Sequence, residues 1–313
     1  MRVAFNTLPD SLVSNLASLN TQQYRLQNQA TTGKRISQLE DDPAAMQRVL
    51  QAQVEQSQTT QYRSNIAFLQ QRANSSFDAM QGLQKIAQRA GEIATSADGT
   101  AGPQELQSYA AEVNQLIQQG VQLMNSKYQG AYLFAGARTD QPAFVAVTDA
   151  NGNVSSVAYQ GTRDVPSTEI GPGNMFSVGV IGENSTGSGP LGLITDSRSV
   201  ADFFNHLLAL ETNLRNGDTA AISASDAPAL AKDEDNIISH LATNGIAQAH
   251  LTTADSLAAA RSASTDQRIS QDSDADLTET LTRLSATQTA FQAALQSGSS
   301  LLKQGQTLLD YLR

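Results

Sequence analysis

The chain has 313 residues, a net charge of −10, 40% hydrophobic residues and only 16% charged residues, against about 25% charged in ordinary globular chains. An acidic surface repels nucleic acid and anionic lipid, so neither is expected as a partner. Cysteine is absent and no run reaches the roughly 18 apolar residues of a membrane span, which excludes a disulfide scaffold, thiol chemistry, Cys-ligated zinc and a spanning helix.

Met1–Asp10 lacks the apolar run of a cleaved signal peptide, so the chain is expected to stay in the cytoplasm or to leave by a route that cleaves none. From Leu12 the spacing Leu12, Leu16, Leu19, Gln23, Leu26, Ala30, Gly33 alternates four and three, the a/d seam of a coiled coil. Gln, Ala and Gly at seam positions make it a weak one. Gly33 is expected to end the helix. In Asp41-Asp42-Pro43, Asp42 reads as an N-cap and Pro43 as the first residue of the next helix. A second seam runs Ile66, Leu69, Ala73, Ser76, Met80, Leu83, Ala87, Ala90, Ala94 and breaks at Asp98-Gly99 and Gly102-Pro103. A third helix is expected from about Pro103, with Tyr109, Val113, Leu116, Gly120 and Leu123 on one face.

Between about Gln141 and Pro190 the helical period disappears. Phe144–Val147 and Val154–Tyr159 flank Asn151-Gly152, a β-hairpin signature. Phe176–Ile181 reads as a further strand. Helix returns at about Ser199, with Phe203, Leu207, Leu210 and Leu214 on one face, and again from about Ala227 to Gln267. The last seam is Leu277, Leu281, Leu284, Gln288, Phe291, Leu295, Gly298, Leu302, Gly305, Leu309, Leu312. Such a stripe reads either as one helix of an internal bundle or as a face awaiting a partner, which would be the N-terminal seam or another copy. Helices of this composition are marginal alone and are expected to fold on gaining packing partners.

Residues that carry chemistry are sparse. His206, His240 and His250 lack metal-ligand spacing. Asp272-Ser-Asp274-Ala-Asp276 begins like a calcium loop, but positions six and twelve hold Leu277 and Arg283 where Gly and a carboxylate are needed. The acidic run is better read as complementing the N-terminus of the following helix. Gly187-Ser-Gly189-Pro-Leu-Gly192 matches the dinucleotide string G-x-G-x-x-G but contains Pro190 and lacks the repeated strand–helix pattern around it. It is expected to be a flexible loop. No nucleophile elbow is present. The residues therefore point to no enzyme, no cofactor and no metal, and the architecture carries the information: helical ends bracketing a β-rich insertion.

Four stretches give that architecture a family. Met1-Arg-Val-Ala-Phe-Asn-Thr7 leads into the first helix. Thr32-Gly-Lys-Arg-Ile-Ser37 with Glu40-Asp-Asp-Pro43 is similar to a "SGKRI…SDDP" turn. Tyr128-Gln-Gly-Ala-Tyr-Leu-Phe-Ala-Gly136, followed by Thr139–Phe144, is similar to a "YxGxYLFAG…T…PF" entry into a β domain. Ser300-Leu-Leu-Lys303 and Leu308–Leu312 close the chain. Together they resemble the bacterial flagellin superfamily, most closely its hook-associated proteins of the hook–filament junction. The resemblance implies a mainly α, flagellin-like fold in which N- and C-terminal helices pair, with a small β-rich insertion. It implies a terminal coiled-coil layer (residues 1–40 and 270–313), a helical rod (41–138 and 199–269) and an outer β-rich insertion (139–198). Assembly is expected to rest on Leu12, Leu16, Leu19, Leu26, Leu277, Leu281, Leu284, Phe291, Leu295, Leu302, Leu309 and Leu312, with Asp41, Asp42 and Pro43 as the interlayer turn. Implied partners are further copies in a ring, the adjacent hook-associated junction protein, flagellin and a flagellar export chaperone, with secretion to the hook–filament junction by type III export. Heterologous contacts suit such a ring. The rival readings are the flagellin filament subunit, which Leu83-Gln-Lys-Ile-Ala-Gln-Arg-Ala90 resembles, and a secreted coiled-coil adhesin.

Overall fold

The computed structural model describes residues 7–97 and 99–311, with side chains for 10–97 and 99–300. In chain order the elements are α1 (Thr7–Thr32), α2 (Pro43–Ser96), α3 (Pro103–Met124), β1 (Lys127–Tyr128), β2 (Ala131–Tyr132), β3 (Phe144–Thr148), β4 (Val154–Tyr159), β5 (Thr168–Gly171), β6 (Asn174–Phe176), β7 (Ile181–Asn184), β8 (Gly192–Asp196), β9 (Ala201–Asp202), α4 (Phe203–Asn216), α5 (Thr219–Ala221), a π-helical turn (Ile222–Asp226), α6 (Ala227–Ser273) and α7 (Leu277–Tyr311). The expected mainly α fold with a small β-rich insertion is the observed one. The Pro43 start and the Ile66–Ala94 seam belong to a single 54-residue helix. The chain divides into two compact units, residues 1–58 with 261–313, and residues 59–260.

In the second unit the core gathers Met80, Leu83, Ile86 and Ile93 of α2, Val113 and Ile117 of α3, Phe203, Leu207 and Leu210 of α4, and Leu230 and Ile237 of α6. These are the residues that helical periodicity places on one face of each element. The Tyr132-Leu-Phe-Ala135 stretch joins this core: Leu133, Phe134 and Ala135 are fully buried. The Phe134 carbonyl accepts from the Tyr159 hydroxyl at 3.0 Å and from the Gly182 N–H at 3.2 Å. Strands β3 and β4 form the expected antiparallel hairpin, Phe144 opposite Tyr159. Asp149 closes its turn, accepting from the Asn151 and Asn153 N–H groups at 2.8 Å each. A second cluster seats Ile170 and Val178 against Ile66, Leu69 and Leu251, with Phe176 stacked on His250 at 4.6 Å.

Two expectations need correction. Phe176–Ile181 is not one strand. β6 ends at Phe176 and β7 begins at Ile181, because the Ser177 hydroxyl donates to the Pro166 carbonyl and accepts from the Gly179 N–H, a local alternative to ladder bonding. The fourth helix starts at Phe203 rather than Ser199, because Ala201–Asp202 pairs with β8. The Gly187–Gly192 loop is tied to its flanks by side-chain hydrogen bonds. It joins the parallel pair β7–β8, and fully buried Asn184 binds its Ser188 and Pro190 carbonyls at 2.6 Å each. Arg198 adds bonds to the Gly189 and Pro190 carbonyls. At Gly192 a Cβ would lie 2.1 Å from the Thr195 carbonyl oxygen, so this glycine serves close backbone packing.

Candidate assembly surface

In the first unit α1 and α7 pack along one another. Their register is fixed at both ends. A Cβ on Gly298 would lie 2.6 Å from Leu12 Cδ2, and Lys34 forms an antiparallel bridge with Asp274. The two helices are therefore antiparallel. On α1 the covered face is the seam read from the sequence: Leu12, Leu16, Leu19 and Gln23 are half-buried and Leu26 is buried. On α7 the covered face is Thr280, Leu284, Thr287, Phe291, Ala294 and Gly298. Half of the expected α7 seam is shared with it, at Leu284, Phe291 and Gly298. The other half is displaced by one residue, onto Thr280, Thr287 and Ala294. Leu277, Leu281 and Leu295 are left 48%, 55% and 48% exposed. Leu302 and Leu309 lie on α7, but their side chains are outside the described residues, as is all of Leu312.

The turn between α1 and α2 is tied to the turn between α6 and α7. Gly33 takes φ +69°, the left-handed conformation that suits glycine at a helix C-terminus. Its carbonyl accepts from the Ala275 N–H at 2.9 Å, and the Arg35 N–H donates to the Ser273 carbonyl at 2.7 Å. Asp42 caps α2 as its sequence position suggests, its carboxylate accepting from the Ala45 N–H at 3.0 Å. Asp41 accepts from the Ser37 and Gln38 N–H groups at 3.0 Å each. These backbone donors hold both carboxyls below the usual carboxylate range, since hydrogen bonding to the charged form favours it. Pro43 opens α2.

The acidic run divides its work. Only Asp276 caps the following helix, accepting from the Thr278 N–H at 2.8 Å and the Glu279 N–H at 3.1 Å. Asp272 receives Arg48 in a two-pronged contact, with Arg48 Nε 3.1 Å from one carboxylate oxygen. Its backbone carbonyl accepts from Arg35 at 2.7 Å. Asp274 pairs with Lys34. Arg48 and Lys34 respectively pull the Asp272 and Asp274 carboxyls down. Lys34, Arg35 and Arg48 thus hold the two turns together, contacts that the sequence reading missed. The available signal was charge complementarity between the Lys34–Arg48 segment and Asp272–Asp276. No three His, Asp or Glu side chains among the described residues are grouped as metal ligands.

In the second unit the histidines act as locks. His206 Nδ1 lies 2.7 Å from the buried Asp233 carboxylate, whose other oxygen accepts from the Asp202 N–H at 2.8 Å. The carboxylate raises the His206 pKa above its ordinary value. Buried His240 sits 3.1 Å from the Gly192 carbonyl, and burial lowers its pKa.

Residues 3–139 match the family described as the bacterial flagellin N-terminal helical region. The chain is 26% identical over 163 residues to flagellar hook-associated protein 3 of Salmonella typhimurium, spanning 51% of each chain, so this match covers about half of that relative. It is 24% identical over 285 residues to flagellar hook-associated protein 3 of Escherichia coli, spanning 86% of this chain and 87% of the relative. Solved structures share the fold. A putative flagellar hook-associated protein from Vibrio parahaemolyticus aligns at TM-score 0.62 and 18% identity, over 75% of this chain and 100% of that one. FlgL of Bacillus cereus aligns at 0.53 and 19%, over 69% and 97%.

Proposed function

The chain is a FlgL-like protein of the flagellin superfamily, and from that premise we propose that it is the structural subunit joining the hook to the filament of a bacterial flagellum. The observation that carries this reading is the antiparallel pairing of the two chain ends in one unit, with large apolar side chains left exposed on it. A subunit that joins two tubular assemblies needs its ends ordered together and a surface left over for neighbours. The relatives' names favour a hook-associated role over that of the filament subunit. The work is mechanical, with no catalysis and no cofactor.

In this reading residues 1–40 and 270–313 form the terminal layer, 41–138 and 199–269 the helical rod, and 139–198 the outer insertion. Leu12, Leu16, Leu19, Leu26, Leu284 and Phe291 hold the terminal pair together. Leu277, Leu281 and Leu295 face neighbours, and the assembly role of Leu302, Leu309 and Leu312 rests on their place in the sequence seam. Asp41, Asp42 and Pro43, with Arg48 and Asp272, fix the turn between layers. The partners are further copies in a ring, the adjacent hook-associated protein, flagellin and an export chaperone that holds the C-terminal seam before secretion. Deleting the gene tests the reading. Cells are expected to carry hooks without filaments and to shed flagellin into the medium; filaments of normal length and number would reject it.

A further inference from the structure

Three asparagines precede a glycine: Asn151, Asn216 and Asn244. Such a pair modifies itself by a known chemistry. The glycine nitrogen attacks the asparagine side-chain Cγ and a C–N bond forms. The Cγ–Nδ2 bond breaks, and ammonia leaves with the proton that the glycine nitrogen gives up through solvent. Water then opens the cyclic imide at either carbonyl, leaving aspartate or isoaspartate. Attack needs the glycine nitrogen and Cγ brought to about 3–3.5 Å in line. Helical backbone, with ψ near about −42°, holds them apart, so a helical pair must open locally first.

The structure makes the three unequal. Asn244 is 4% exposed within α6, and its side-chain carbonyl accepts from Gln248 at 2.7 Å. Asn216 is exposed but is the last residue of α4. The Gly217 N–H donates to the Asn213 and Leu214 carbonyls, and the Asp218 N–H donates to Asn213 at 2.9 Å, so opening there undoes the helix end. Asn151 is exposed at the tip of the β3–β4 hairpin, where a Cβ added at Gly152 would meet nothing within 4 Å. Its restraints come from one residue. The Asn151 N–H donates to the Asp149 carboxylate at 2.8 Å and the Gly152 N–H to the Asp149 carbonyl at 3.1 Å. Hydrogen bonds from Asn153 and Asn151 hold the Asp149 carboxyl below the usual carboxylate range. We propose that Asn151 is a site of enzyme-free modification, converting at the hairpin tip to aspartate and isoaspartate, and that Asp149 is the brake on it. Aspartate there puts another carboxylate beside Asp149, an unfavourable like-charge pair. Isoaspartate also adds a carbon to the backbone inside the turn, so the bonds from Asp149 to the tip are lost. The change stops at Val154, which is buried and whose N–H donates to the Asn114 amide oxygen at 2.9 Å. The tip thus takes an irreversible mark of age while the core beneath it stays intact.

The test incubates the full chain in mildly alkaline buffer, folded and in parallel unfolded in urea, and follows amide-to-acid conversion by peptide mass mapping. In urea the three sites are expected to convert at similar rates. In the folded chain Asn151 is expected to convert faster than Asn216 and Asn244 by roughly tenfold or more, equivalent to about 1.4 kcal/mol or more of local opening cost. Asp149→Ala is expected to speed conversion at Asn151 several-fold. Asn151→Gln, whose longer side chain cannot close the five-membered imide, is expected to remove it. The proposal is overturned if Asn216 or Asn244 converts as fast as Asn151 in the folded chain, if Asn151 keeps its amide in the folded chain while converting in urea, or if Asp149→Ala fails to speed the conversion.

Discussion

Gly298 offers the sharpest test of the register that pairs the two chain ends. Two effects compete there. Glycine inside a helix costs about 1 kcal/mol relative to alanine, so any side chain at 298 gains helix stability. Against this, a Cβ would meet Leu12 Cδ2 at 2.6 Å, closer than side-chain carbons tolerate. The obstacle is the tip of a flexible side chain, so Gly298→Ala is expected to come out near balance, within about 0.5 kcal/mol. Gly298→Leu places several further carbons in the same contact, and overpacking of that kind costs about 1–3 kcal/mol. The net loss falls on the α1–α7 pair alone. Hydrogen exchange reads it locally: with the helix gain of about 1 kcal/mol set against the overpacking, the net loss is about 1 kcal/mol, so at about 1.4 kcal/mol per tenfold Gly298→Leu should speed exchange of the Leu16–Leu26 amides by roughly fivefold. The α3 and α4 amides of the other unit should be unchanged. Parental exchange rates along α1 in Gly298→Leu would refute the antiparallel register of α1 and α7.

Other outcomes follow from the same structure. Arg48→Ala and Asp272→Ala should each expose the Lys34–Asp42 turn to protease, with the double variant no worse than either single one and the difference from the parent fading at high salt. Limited proteolysis of the parent should trim α1 and α7 before the second unit, because so few of their side chains are fully buried. Below its unfolded pKa of about 6.5 His206 contributes its full stabilisation, which is lost as pH rises through its raised folded value; His240, with its pKa lowered, costs stability as pH falls below about 6.5. Urea midpoints should therefore decline on both sides of that pH, and His206→Gln should flatten only the alkaline arm. Asp196, bonded by Arg198 and pulled down to about 2, stabilises above its unfolded pKa of about 3.8 and loses that as pH falls toward 2. Asp196→Asn should cost about 2 kcal/mol at neutral pH and nearly nothing at the acid end, read from denaturant midpoints at both.

The helices were legible because their apolar residues keep a period that only a helix can bury on one side. Pro43 and Pro103 were legible because their fixed φ suits a first helical turn. The Asn151-Gly152 hairpin was legible because its turn chemistry is local. Residues 176–202 were not, because side-chain bonds from Ser177, Asn184 and Arg198 decide where strands begin and end, and no periodicity records them. On α1 the residues covered within the chain are those that keep the four-three spacing, while on α7 alternate members of that spacing are exposed. Leucines at 281 and 295 look like seam residues, yet Thr280, Thr287 and Ala294 are the ones covered. Composition alone does not distinguish a stripe that meets the same chain from one that meets another. The clasp of Arg48 on Asp272 joins residues more than two hundred positions apart, a distance over which only opposite charge was available as a hint.

The central claim is location at the joint between hook and filament. Immunogold labelling of intact flagella with an antibody to this chain measures it directly. The account predicts gold confined to a single short band where the hook meets the filament, one band per flagellum. Gold distributed along the filament would contradict it in favour of a filament subunit, and flagella carrying no gold would contradict it outright.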